Sequence, residues 1–413
     1  MHAQSPSSLS HSTPQLRLRS TALAAALALF TALFATAGAH AQTFTLLGSF
    51  GGADGAFPNA GLVRDAAGNL YGAAKYGGNL NCDEELGGGA AFGLNPGGTP
   101  ILAYEFNHDA APGCDPSSGV ILDPEGNLYG TTYYSTIYKI DSTGQAALLY
   151  QFLGVPDGSL PSGGLLRDAQ GNLYGTTQSG GNAACAYNTG CGTIFKLDAS
   201  GNESVLYRFT GGVDGAYPQS NLVQDAAGNL YGTAYNGGGG PCANGCGTIF
   251  KLDPSGKLTV LHTFQGRTDG SNPGTGLILD SANNLYGVTA NGGDLTCPGG
   301  GGRGCGTVFK LNASGRKTVL YMFLGGTDGA HPAPGLARDS AGNLYGATEV
   351  GGDYKAGTVY KLDTTGKKTV LHQFNGTDGW GPNVVILDAA GNLYGTANGG
   401  GRYGEGTIFK ITP

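Results

Sequence analysis

DAAGNLYGTAYNGGGG, residues 225–240, contains the segment that organises the whole chain. Its Asn-Leu-Tyr-Gly core recurs at Asn69, Asn127, Asn172, Asn229, Asn284, Asn343 and Asn392, each time with an aspartate four residues upstream, at Asp65, Asp123, Asp168, Asp225, Asp280, Asp339 and Asp388. The successive spacings of 58, 45, 57, 55, 59 and 49 residues belong to a repeat architecture, in which each copy is one supersecondary unit that cannot bury its apolar face alone.

Around each core lie four short apolar runs. In the third full copy they are Gly164–Asp168, Leu173–Thr177, Thr193–Asp198 and Ser204–Phe209, all rich in Leu, Ile, Val, Tyr and Phe. Each has the length and composition of a strand, and no stretch after residue 42 sustains a helical period. The unit is therefore a four-stranded meander. Its turns, Asp-x-x-Gly-Asn and Asp198-Ala199-Ser200-Gly201, pair a carboxylate that accepts from following amides with a glycine that supplies the left-handed residue. The recurrent aspartates read as turn formers, not catalytic acids.

Counting strands by type gives the fold. The third-strand pattern occurs at Gly192–Leu197, Gly247–Leu252, Gly306–Leu311, Gly357–Leu362 and Gly406–Ile411, with looser copies at Ala91–Leu94 and Ser135–Ile140. Six fourth strands follow a third strand; the seventh, Thr43–Phe50, stands at the other end of the repeats. An N-terminal strand that completes the last unit shuts a ring and removes its open edges. The expectation is an all-β, seven-bladed β-propeller of four-stranded blades, the last blade closed by residues 43–50 on residues 406–411.

Arg17 and Arg19, an apolar stretch from Thr21 to about Ala37, and Ala39-His40-Ala41 have the layout of a cleavable signal. The chain divides into a signal peptide, 1–41, and a single propeller domain, 42–413, expected to be secreted, periplasmic or held at the cell surface, without a membrane span after cleavage. Cleavage removes two arginines and no acid, taking the formal charge from −7 to −9. That balance argues against a nucleic-acid partner. All eight cysteines follow the cleavage site, an even count that reads as disulfides in an exported chain. No C-x-x-C pair suggests zinc, no cofactor is expected, and the mature protein is expected to be a monomer.

Repeats of the form G-T-[IV]-F-K-L-[DN]-x-x-G-x-x-T-V-L-Y-x-F-x-G-x-x-D-G-A-x-P-x-x-G-L-x-x-D-x-x-G-N-L-Y-G-T-T resemble the GloVer repeat of the choice-of-anchor tandem repeat proteins of bacteria. The resemblance covers residues 43–413 and is clearest from Gly306 to Thr348, where Ala347 stands in place of the Thr that follows Gly130 and Gly175. It implies an exported or surface-held repeat protein and carries no catalytic residues.

In a propeller the loops joining strands two and three share one face, the top, with those leading from strand four to the next blade. Those loops hold every cysteine: Cys185 with Cys191, Cys242 with Cys246 and Cys297 with Cys305 each share a loop, and Cys82 and Cys114 lie on two loops near the first blade. Local pairing is expected. The fourth-strand exits carry Asp-Gly-x-x-Pro at Asp54–Pro58, Asp157–Pro161, Asp214–Pro218, Asp269–Pro273, Asp328–Pro332 and Asp378–Pro382. One carboxylate per blade, spread around a ring, fits a turn better than a calcium site. The residue before the proline varies (Phe57, Leu160, Tyr217, Asn272, His331, Gly381) and reads as a loop position that presents different side chains to a partner. Phe57, Tyr354, Trp380 and Tyr403, with Asp353, Lys355, Arg402 and Glu405 nearby, form a candidate top-face patch for an extracellular glycan or protein. His262 and His372 stand where other copies have Tyr150, Tyr207 and Tyr321, which makes them structural.

The sequence contains no G-x-S-x-G, H-E-x-x-H, P-loop or dinucleotide fingerprint. The inner strands are expected to line the channel with aliphatics and a few arginines. The reading is a non-enzymatic binding or structural scaffold; the alternative is a lactonase-like hydrolase centred on the channel.

Overall fold

Each Asp-x-x-x-Asn-Leu-Tyr-Gly segment forms a hairpin turn built on one carboxylate. In the fifth copy Asp280 Oδ1 accepts from the Asn284 amide (2.8 Å), while Oδ2 accepts from Asn284 Nδ2 (2.9 Å) and the Tyr286 hydroxyl (3.1 Å). The same three donors serve the other six aspartates. The motif leucine is buried in every copy. The motif glycine passes under the aromatic ring of the third strand: a Cβ at Gly287 would lie 2.7 Å from Phe309 Cζ.

The computed structural model describes residues 42–412 except 80, 81, 83–85, 108–111, 184 and 186–188. The expected signal peptide, the apolar stretch within it and His108 lie outside the described residues. From Gln42 onward the chain forms seven antiparallel sheets. In the first blade Leu70–Tyr76 pairs with Ala90–Leu94, which pairs with Pro100–Glu105. Two pieces of one innermost strand, Ala56–Pro58 and Val63–Arg64, flank Leu70–Tyr76 on its other side. The other blades repeat this order.

The split inner strand corrects the reading of the Asp-Gly-x-x-Pro segments. The x-Pro pair is not a free loop position: it opens the inner strand, with the residue before proline in the left-handed region, from φ 52° at His331 to 61° at Gly381. Its amide donates to the preceding blade, as Tyr217 N–H does to Cys191 O (3.0 Å), His331 N–H to Cys305 O (2.9 Å) and Phe57 N–H to Glu405 O (2.7 Å). The proline ring lies on the glycine that starts that blade's third strand, so a Cβ at Gly306, itself at φ 92°, would sit 2.5 Å from Pro332 Cδ. A seventh copy, Asp115-Pro116 (φ 55° at Asp115), makes the same contact with Gly88 O and Gly89. Sequence reading missed it because Pro112-Gly113 replaces Asp-Gly there. In the second blade Ser135 (φ 64°) takes the glycine's place and its Oγ accepts the Leu160 amide (3.0 Å).

The blades close a ring. Seven apolar clusters each join two neighbouring blades, whereas an open array of seven would have six. The cluster of Phe50, Leu62, Leu70, Phe92, Tyr394 and Ile408 joins the last blade to the first. Every interface contains one edge-to-face aromatic pair, at 4.9 to 5.5 Å between centroids. Thr43–Ser49 pairs with Thr407–Thr412 from Thr43↔Thr412 to Ser49↔Thr407, completing the last blade as expected. The chain is a seven-bladed β-propeller.

Two predictions follow from this geometry. Deleting residues 43–50 bares an edge strand and removes Phe44 and Phe50, each worth about 2 kcal/mol of burial; aggregation, or a melting temperature lowered by more than about 10 °C, is expected in light scattering and calorimetry. The second concerns pH. Burial pulls the pKa of each turn aspartate up, but hydrogen bonds from Asn and Tyr outweigh it and hold all seven below the ordinary carboxylate value. Their contribution is complete above about pH 4 and is lost as pH falls through the depressed values. Tyr129, Tyr231 and Tyr345 are raised to about 12 by burial and by the adjacent carboxylate, so a second loss starts near pH 10. Urea denaturation across pH should show both falls, and Asp280→Asn should flatten the acid one.

Candidate functional site

The top-face loops are tied down by glycine backbone. Six of the seven loops from strand two to three open with Gly-Gly, and the second amide donates to the loop that leads into the same blade in the first, fourth, sixth and seventh blades: Gly78 N–H to Gly52 O (2.8 Å), Gly238 to Gly212 O (2.9 Å), Gly352 to Gly326 O (2.9 Å) and Gly401 to Gly376 O (3.1 Å). A Cβ at Gly237 would lie 2.7 Å from the Gly215 backbone, so the first glycine allows this approach. The four cysteine pairs are bonded as expected: Cys82–Cys114, Cys185–Cys191, Cys242–Cys246 and Cys297–Cys305. They close the longer loops. The short loops of the sixth and seventh blades have none.

All six Asp-Gly carboxylates bind the loop just before them, and all but Asp54 also bind the strand that leads there. Asp328 accepts from the Tyr321 hydroxyl (2.7 Å), the Leu324 amide (2.8 Å) and Lys368 Nζ (2.9 Å). Asp269 accepts from His262 Nε2 (3.1 Å), the Gln265 amide (2.8 Å) and Lys317 Nζ (2.8 Å), and Asp378 from His372 Nε2 (2.9 Å). His262 and His372 therefore do the work of the tyrosines. Burial lowers the pKa of His372 against the upward pull of Asp378, and burial likewise lowers both lysines against their aspartates.

The third blade places an acid where the fifth and sixth place these lysines. Glu203 occupies the register of Lys317 and Lys368, opposite Leu197. Its Oε1 is buried without a hydrogen-bond partner. Burial first, then repulsion from Asp157, raise its pKa to about 7, with Arg208 opposing. Because the folded state prefers the protonated acid, stability is lost as pH rises from about 4 through 7. Glu203→Lys, which restores the ammonium beside Asp157, is expected to raise the melting temperature at pH 8 and to do so less at pH 5.

The candidate patch residues lie on successive loops linked by backbone hydrogen bonds, Gly381 N–H to Ala356 O (2.9 Å) and Phe57 N–H to Glu405 O (2.7 Å). Tyr354 is 65% exposed, Tyr403 55% and Trp380 44%. Trp380 takes a position held in other blades by the buried Ala56, Cys114, Ala216, Ser271 and Ala330. It faces Gly399, and a Cβ there would collide with the indole. Tyr403 lies against Gly51, and Arg402 stands 5.2 Å from the Tyr403 ring centroid. Phe57 is half-buried and packs edge-on against Tyr76 at 6.0 Å. The Asp353 amide donates to Gln373 Oε1 (2.6 Å). Sequence reading passed over a second exposed apolar sector, Tyr133, Tyr134, Leu153 and Val155. Its signal was the Tyr-Tyr pair in the shortest of these loops.

All seven inner strands border a central cavity of about 330 Å³, through residues that include Ala60, Gly119, Gly164, Asn221, Thr275, Pro334 and Val384. Its lining is aliphatic, glycine, serine, threonine, proline and asparagine, with no titratable side chain. The arginines expected there lie elsewhere: Arg64, Arg167 and Arg338 stand 5.7, 6.0 and 5.3 Å from the rings of Tyr394, Tyr129 and Tyr286. Each covers the motif tyrosine of the preceding blade. Among the described residues no group of three His, Cys, Asp or Glu side chains could hold a metal ion, and no helix is long and apolar enough to cross a membrane.

The profile of the Gloeobacter/Verrucomicrobia repeat matches residues 32–187, 87–297 and 295–413. No curated protein matches the chain. Among solved structures, the extracellular domain of a protein described as the hybrid two component system BT3049 of B. thetaiotaomicron is similar at 12% identity and a TM-score of 0.55, over 90% of this chain and 41% of that one. The extracellular domain of the one component system BT4673 of B. thetaiotaomicron is similar at 15% and 0.54, over 90% and 42%. PorZ, a surface component of the type-IX secretion system of Porphyromonas gingivalis, is similar at 14% and 0.53, over 87% and 46%. This chain spans less than half the length of those three, and the likeness concerns the fold. The chain belongs to the Gloeobacter/Verrucomicrobia repeat family.

Proposed function

From that membership we propose that the protein is an exported, non-enzymatic scaffold that binds an extracellular glycan or protein through its top face. The observation that carries the reading is Trp380. In a ring where five of the other six copies bury a small residue at this position, one blade places an indole there, 44% exposed, over a glycine that makes room for it. Tyr354 and Tyr403, both more than half exposed, stand on the two flanking loops. Large exposed aromatics with few rotatable bonds are suited to stacking on a sugar face or anchoring a protein contact. The four disulfides and the likeness to extracellular domains support export. The hydrolase alternative lacks support at its own site, because no acid, base or nucleophile with a perturbed pKa lines the channel.

Trp380 is the only tryptophan, so its fluorescence reports on this surface directly. A glycan array and a pull-down from the producing organism's secretome supply ligands. The expected result is an emission change on binding, with Trp380→Ala weakening affinity by about 2 kcal/mol and leaving melting almost unchanged. Gly399→Ala, which displaces the indole without removing it, should weaken the same ligand. Ligands whose affinity ignores both substitutions would place binding elsewhere.

A further inference from the structure

The Asp-Gly carboxylates and the aromatic pairs beneath them form a cradle that recurs around the ring, and its contents differ from blade to blade. The fifth and sixth blades fill it with an ammonium group. Lys317 Nζ bonds Asp269 O (2.6 Å) and Oδ1 (2.8 Å) and stands 5.0 and 5.5 Å from the rings of Phe264 and Phe309. Lys368 repeats this with Asp328, Phe323 and Tyr360. In the seventh blade Phe44 takes the place and stacks on His372 at 3.8 Å.

The first blade keeps the cradle and lacks both groups that fill it. Pro100 stands opposite Leu94, the register of Lys317 opposite Leu311. Gly48 stands opposite Ile408, the register of Tyr321 opposite Val308. The aromatic pair remains, Phe50 edge-on to Phe92 at 5.0 Å. A cavity of about 190 Å³ results, bordered by Gly48, Phe50, Asp54, Phe92, Pro100 and Leu102 among others. The Asp54 carboxylate accepts the Gly51 amide (2.7 Å). It has neither the hydroxyl nor the ammonium that Asp328 receives.

We propose that this cavity is a binding site for a small organic cation, a primary ammonium on an aromatic stem. The ammonium would take the position of Lys317 Nζ, donating to Asp54 and facing the rings of Phe50 and Phe92; the stem would fill the space that the Tyr321 ring fills in its blade. The chain itself shows that this constellation holds an ammonium, twice. A desolvated cation over aromatic faces with a carboxylate beside it is favourable, and the apolar walls select against a more hydrated ion. The site is separate from the top-face aromatics and does not rest on their role.

Phenethylammonium is the probe, titrated into the mature protein by calorimetry and by NMR, with phenethyl alcohol as its neutral counterpart. Saturable one-to-one binding is expected, with the alcohol and the Asp54→Asn protein each at least about tenfold weaker. Gly48→Tyr, which returns the missing ring, should abolish binding. Asp54 is exposed, so Asp54→Asn is expected to fold normally, and melting curves check both variants. No saturation by about 10 mM, equal affinity for the alcohol, or indifference to Asp54→Asn would overturn the proposal. If Gly48→Tyr does not fold, the alcohol and Asp54→Asn still decide it.

Discussion

The ring depends on one steric allowance, a glycine beneath an aromatic ring. In each blade the third-strand Phe or Tyr lies over the motif glycine of the second strand and meets the edge of a phenylalanine from the preceding blade. A Cβ on that glycine would lift the ring and open the interface, so the packing between blades is set by a residue within one hairpin. The rest of the motif serves the same end. Leucine fills the core below, while Asn and Tyr satisfy the carboxylate that fixes the turn, so that the glycine arrives at the right height. Interior packing at organic-crystal density leaves little slack for alternatives.

A second set of contacts acts on the top side, where proline meets glycine across each interface. It explains why the strained left-handed conformation before proline persists at Phe57, Leu160 and Tyr217, residues of types that ordinarily avoid it. In this conformation the amide of that residue reaches the neighbouring loop. The variable side chain is thereby carried on the most firmly held part of the loop. Variation there alters a surface without altering the ring.

The legible parts of the sequence were those encoded by repetition. Seven turns, seven third strands and a displaced fourth strand, Thr43–Phe50, were enough to count blades and close the ring, because register repeats with the residues that set it. The cysteine pairs were legible because three of them lie within single loops. The role of the x-Pro pair was not, since nothing in the identity of Phe57 or Tyr217 announces a positive φ. Nor was the direction of Arg64, Arg167 and Arg338. Alternation along a strand allowed them to face the channel, and the tyrosine of the neighbouring blade drew them away. The Gly48–Pro100 vacancy was hidden for a different reason: it joins the two ends of the repeat array, and appears only when the register of both strands is known.

The placement of charge then limits where chemistry can occur. The motif aspartates are saturated by Asn and Tyr, and most Asp-Gly carboxylates by a ring donor, an amide or a lysine. The channel has no titratable group to set against them. A ring that uses its acids as turn and interface fasteners leaves few of them without a full set of partners, and those few stand where a repeat has lost one. Asp54 lacks a ring and an ammonium, and Asp157 faces Glu203 in place of one. Departures from the repeat, not the repeat itself, are therefore where this ring can recognise something other than its own neighbouring blade.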